Sequence, residues 1–162
     1  PRMPTQMDLW TYSVADGKAT PFLQSAFNET LGRFSPDGRW VAYVSNETGR
    51  SEVYLRRFPL TDEKWAVSSQ GGFSPRWRQD GRELFFGAPG GVLTSVAVTL
   101  TAVPEIGQPE RRFQLPARVK GVQGAGWDVA PDGKHFVIVA GREGDSPTSA
   151  RVMFHWAPAV RR

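Results

Sequence analysis

Arg33-Phe34-Ser35-Pro36-Asp37-Gly38-Arg39-Trp40-Val41-Ala42-Tyr43-Val44-Ser45 is the stretch that decides the fold. Pro36 presets its φ, the Asp37 carboxylate can accept from backbone ahead of it, and Gly38 tolerates positive φ. Residues 36–38 therefore read as a tight turn. Beyond it, Trp40–Ser45 is apolar at successive positions, which predicts a strand buried on both faces. The phrase returns twice, as Trp77-Arg78-Gln79-Asp80-Gly81-Arg82-Glu83 and as Val129-Ala130-Pro131-Asp132-Gly133-Lys134-His135. Its Asp residues lie 43 and 52 positions apart. A period of about 40–50 residues is the length of one four-stranded propeller blade.

Short β-rich runs bounded by turn residues fill the chain, and helical periodicity is nearly absent. In the first unit Leu31–Ser35, Trp40–Ser45, Glu52–Phe58 and Trp65–Ser68 read as four successive strands. The second repeats the order at Pro75–Arg78, Glu83–Gly87, Val92–Leu100 and Arg112–Leu115, with Thr101–Glu110 as a longer outer loop. The third runs Gly126–Val129, His135–Ala140 and, after a loop at Gly141–Ser149, Arg151–Trp156. At the N-terminus Asp8–Val14 and Thr20–Leu23 resemble a third and a fourth strand, joined by a turn at Asp16-Gly17-Lys18. The expected fold is all-β: a β-propeller segment of about three four-stranded blades. Residues 8–25 supply strands three and four of one blade, 30–70 and 72–116 a blade each, and 124–158 a blade lacking its fourth strand.

Composition agrees with a folded module. Apolar residues make up 40% and charged residues 22% of 162 positions, which suits a globular chain. There is no cysteine, so disulfides and thiolate–metal sites are excluded. The net charge of +4 is scattered rather than gathered into a patch, against nucleic-acid binding. Apolar runs such as Phe136–Ala140 are too short to span a bilayer, so this segment is not expected to insert in a membrane. The chain opens on Pro1-Arg2, as though taken from a longer one.

The phrases Arg33–Ser45 and Asp8-Leu9-Trp10, with the strand Glu52-Val53-Tyr54-Leu55, resemble the WD-like repeats of TolB-type β-propellers. The similarity covers nearly the whole chain. In the second copy Gln79 stands for Pro, and in the third Val129-Ala130 stands for Phe-Ser. The order ending in Val152-Met153-Phe154-His155-Trp156 also resembles the C-terminal propeller of bacterial proteins in which a Ser/Thr kinase or DNA-binding domain comes first. The resemblance implies a ring of about six blades, a periplasmic or extracytoplasmic setting, and a sensing or docking role. No kinase motif occurs in this chain. Three blades would leave apolar faces open, which predicts that this half-propeller completes its ring either by self-association, as a homodimer, or by closing in cis with a further segment.

Several residues invite a chemical reading. His135 and His155 are the only histidines and lack metal-ligand spacing. Asp37, Asp80 and Asp132 each bring one carboxylate per turn, too few for calcium, so Asp37-Gly38, Asp80-Gly81 and Asp132-Gly133 read as structural turns. Gly121–Gly126 precedes a strand rather than a helix, so it offers no phosphate-binding helix end. No Gly-x-Ser-x-Gly elbow and no nucleophile–base pair is visible. No catalytic residue, metal ligand or cofactor is therefore assigned. Trp10, Trp40, Trp65, Trp77, Trp127 and Trp156 read as packing between blades.

Arg33, Arg76 and Asp128 share one register, each four residues before its Asp-Gly. Innermost propeller strands line the central channel, so these three are candidate ligand-binding residues: a polar ring able to hold an anionic peptide group or small ligand. The expected function is a non-catalytic binding or sensing module for a protein, peptide or small ligand. The alternatives are a structural oligomerisation domain, and the gating propeller of a peptidase whose catalytic domain lies elsewhere.

Overall fold

The structure is a computed structural model that describes residues 7–115 and 126–140, together with the backbone of Arg151–Val152. The first blade is β3 (Glu29–Phe34), β4 (Trp40–Ser45), β5 (Glu52–Arg57) and β6 (Lys64–Ala66), paired antiparallel in chain order. Before it comes a two-stranded sheet of β1 (Leu9–Ser13) and β2 (Lys18–Leu23). The second blade holds β7 (Phe73–Trp77), β8 (Glu83–Ala88) and β9 (Val92–Thr99). Of the third, β12 (Trp127–Val129), β13 (Phe136–Ala140) and β14 (Arg151–Val152) are described. The rest of its expected third strand, with His155 and Trp156, lies outside the described residues, as do the 141–149 loop and positions 121–125.

The outer edge of the second blade differs from the sequence expectation. Thr101–Glu110 is not merely a loop, because Glu105–Ile106 forms a short strand, β10, against Val98 and Thr99. The fourth-strand position proper is β11 (Glu110–Gln114), which pairs with Val92–Ser95. At eight residues, β9 is long enough to template two short partners in tandem.

Each middle strand divides its side chains between two neighbours by parity, as the two-residue pleat dictates. Trp40, Ala42 and Val44 of β4 join Val53 and Leu55 in a core shared with Leu84, Phe86, Val96 and Val98 of the second blade. The alternate residues Val41 and Tyr43 pack with Phe22 and Leu23 of the N-terminal pair. Likewise Phe85 of β8 turns the other way, into a core with Leu93, Leu115, Trp127 and Ala140. Sheets stacked face to face in series, with β7 abutting β3 on one side and β12 on the other, are the radial arrangement of propeller blades.

The aromatic residues fill the wedges between sheets in most of the expected places. Trp40, Trp65 and Trp77 pack in the core between the first two blades, and Trp127 in the core between the second and third. Trp10 departs from the packing expected of it. It is 55% exposed, because its face of the β1–β2 sheet has no neighbouring sheet among the described residues.

Candidate functional site: a cavity between the inner strands

The three Asp-Gly hairpins are chemically alike. The Asp37 carboxylate accepts the Arg39 N–H at 3.1 Å, Asp80 accepts Arg82 N–H at 3.1 Å, and Asp132 accepts Lys134 N–H at 2.8 Å. Gly38, Gly81 and Gly133 follow with φ of 71, 72 and 67°, values that glycine adopts without a Cβ clash. Each aspartate takes a different further partner: the Ser35 hydroxyl, the Arg78 guanidinium, and the His135 ring at 2.6 Å. Both Asp80 and Asp132 are held down to about 2, the first chiefly by Arg78 and the second chiefly by the Lys134 N–H. Among the described residues no three acidic or histidine side chains gather as a metal would need.

These hairpins hold the inner strands, and the inner strands bring Arg33, Arg76 and Asp128 into the wall of one cavity of about 610 Å³. Phe34, Trp77 and Trp127 complete most of that wall, with Val137 and Val139 at one side. The two arginines arrive there through the same backbone device. The β3–β4 register skips between Thr30 and Arg33, and the β7–β8 register skips between Phe73 and Arg76. Inside each bulge sits a left-handed residue that is not glycine, Leu31 at φ 56° and Ser74 at φ 54°. A bulge bends its strand and re-aims the side chains that follow, and here those are Arg33 and Arg76.

Arg76 is the buried member, with a side chain 8% exposed. Its guanidinium lies 5.5 Å from the Trp127 ring centroid, and its Nη1 donates to the Pro75 carbonyl at 2.8 Å. The Asp128 carboxylate stands 3.5 Å from Arg76 Nε. Burial, and then the like charge of Arg33, push the Arg76 value down from the usual arginine range, while Asp128 opposes them. Arg33 is half-buried and donates to the Gly32 carbonyl at 3.1 Å. Its own carbonyl accepts the Trp77 indole N–H at 3.1 Å, a bond that ties the inner strand of one blade to that of the next. The cavity is therefore a shallow cationic site, with two arginines against one aspartate and aromatic walls. Such a site can hold an anionic group next to an apolar one.

Register in the sequence pointed to Arg33, Arg76 and Asp128, but not to their aromatic surroundings. The residue after each arginine, Phe34 and Trp77, also lines the cavity and carried the same periodic signal. The bulges were missed as well. Their one trace is that Leu31 and Ser74 share a position that the third copy gives to Gly126, six residues before Asp-Gly.

No protein-family model matches the chain. The Tol-Pal system protein TolB of Alcanivorax borkumensis is 40% identical over 77 residues, which are 45% of this chain and 18% of that protein. Among solved structures, a TolB-type protein from Agrobacterium tumefaciens superposes with a TM-score of 0.52 at 16% identity, over 64% of this chain and 40% of its own. TolB from Acinetobacter baumannii aligns with 91% of this chain and 45% of its own, at 19% identity and a TM-score of 0.47. The chain thus spans less than half the length of each of these three proteins. The fold is all-β, a segment of a β-propeller. In particular, it is a TolB-like propeller region. Among the described residues no helix is long and apolar enough to cross a membrane.

Proposed function

We propose that this chain is a non-catalytic binding module that offers the inner-strand cavity to a protein or peptide partner bearing an anionic group. The observation that carries the reading is the convergence of Arg33 and Arg76, from two different blades, on one aromatic-walled cavity with a single aspartate beside them. The placement of both arginines by backbone bulges supports it further, since left-handed residues other than glycine persist where the surrounding structure holds them and cluster at working sites. Likeness to TolB supports a periplasmic or other extracytoplasmic setting for the module in a bacterial cell. There it serves as the sensing or docking part of a longer protein, a kinase-linked sensor being the specific form we favour.

The test is an array of immobilised acidic, neutral and basic peptides probed with the labelled chain. Acidic peptides should be retained. The double variant Arg33→Ala/Arg76→Ala should lose about tenfold in affinity, some 1.4 kcal/mol, while keeping its fold. Equal retention of all three peptide classes rules the reading out.

One observation favours assembly as a second role. Trp10 and Tyr12 are 55 and 66% exposed on the N-terminal sheet, and Val14, in the turn that follows, is 89% exposed. Apolar side chains in such a row mark a surface that another sheet covers, and a second copy of the chain completing the ring would cover it. Light scattering should give twice the chain mass, and Trp10→Glu/Tyr12→Glu should return it to one. A wild-type mass of one chain at high concentration removes this role.

A further inference from the structure

We propose that Asp128 is a resident counter-ion standing in for a ligand carboxylate, and that the cavity accepts a carboxylate-bearing peptide by exchanging it for Asp128 at Arg76. This inference rests on the binding role proposed above and names the chemistry of its ligand.

The contact between Asp128 and Arg76 is loose. At 3.5 Å it lies beyond good hydrogen-bonding distance. The same Asp128 oxygen already accepts the Val129 N–H at 2.9 Å, and the side chain is 66% exposed. An ion pair of that kind contributes little and opens easily. The guanidinium it faces is in the opposite situation. Arg76 is almost fully enclosed, and a buried cation needs a well-placed anion.

The remaining wall fits an incoming carboxylate. Arg33 adds a second guanidinium, so the three charged side chains sum to a single positive charge. One carboxylate neutralises that excess, and it can accept two parallel N–H bonds from an arginine fork. A phosphate dianion would overshoot it. Trp127 is buried in the same wall, and its indole N–H has no acceptor among the described residues. Phe34, half exposed, and Val139, 40% exposed, form an apolar lip on which the neighbouring side chain of a peptide can rest.

Such a carboxylate can come from an acidic side chain or from a peptide C-terminus, and the probes separate the two. The chain is titrated with acetyl-Phe-Gly as the free acid, with its C-terminal amide, with acetyl-Glu-Phe-amide, and with inorganic phosphate. The arginine Nε–Hε and tryptophan indole resonances report binding. At least one of the two acids should bind saturably and move the Arg76 signal, and the neutral amide and phosphate should not. Asp128→Asn should tighten that acid by about two- to fivefold, because the competing anion is gone. Arg33→Gln, at a half-buried position, should weaken it. If Arg33→Gln weakens binding but Asp128→Asn leaves it unchanged or weaker, the exchange is wrong and the binding role stands. If neither acid shifts the Arg76 signal, or if Arg33→Gln has no effect, the cavity is not the site and both proposals fall.

Discussion

Leu31 and Ser74 occupy the same position in consecutive repeats and share one backbone conformation, φ 56° and φ 54°. Each stands two residues before a cavity arginine, within the register skip of an innermost strand. A left-handed residue other than glycine costs about 1–2 kcal/mol. The strand returns that cost through the packing around it: Leu31 lies against the core between the first two blades, and Ser74 is fully buried.

The strain at Ser74 predicts a distinctive order of substitutions. Ser74→Gly relieves the left-handed backbone and should stay within about 1 kcal/mol of wild type in urea unfolding. Ser74→Val places a β-branched side chain at positive φ and should cost at least about 2 kcal/mol. Equal losses for the two would show that the bulge stores no backbone strain.

The turn aspartates predict an acid limit to stability. Asp80 and Asp132 sit at about 2 in the folded chain, and Asp37 also lies below the ordinary 3.8. Folded values below unfolded ones mean that the stabilisation is complete above the ordinary carboxylate range and is lost as pH falls from about 4 towards 2. Thermal midpoints at constant ionic strength should be level above that window and drop within it. Asp80→Asn/Asp132→Asn should flatten the drop, and an unchanged slope in the double variant would contradict the assignment.

The bond from the Trp77 indole to the Arg33 carbonyl predicts a coupling between blades. Trp77→Phe keeps an aromatic ring but removes the donor, at a cost of about 1 kcal/mol. Its second effect is local: the Arg33 Nε–Hε resonance should shift and broaden while that of Arg39, on the Asp37 turn, stays in place. An unmoved Arg33 signal would mean that this bond does not position the inner strand.

Much of the fold was legible because turns and pleats are local. Pro36-Asp37-Gly38 contains within three residues the fixed φ, the side-chain acceptor and the permissive glycine that its hairpin uses. Trp40–Val44 announced two buried faces by being apolar at successive positions, and its alternate residues do enter two different cores. The β10 strand was not legible, since a two-residue strand exists only because β9 extends past β11 to pair with it.

The sequence by itself determined the repeat, the Asp-Gly hairpins and the shared register of Arg33, Arg76 and Asp128, because each depends on spacing along the chain. Tertiary structure alone decided that these three side chains meet. Their convergence needs inner strands of three sheets to abut, and two of those strands to bulge at Leu31 and Ser74. Neither event is encoded in any one segment, since contact between residues more than forty positions apart follows from how the sheets stack.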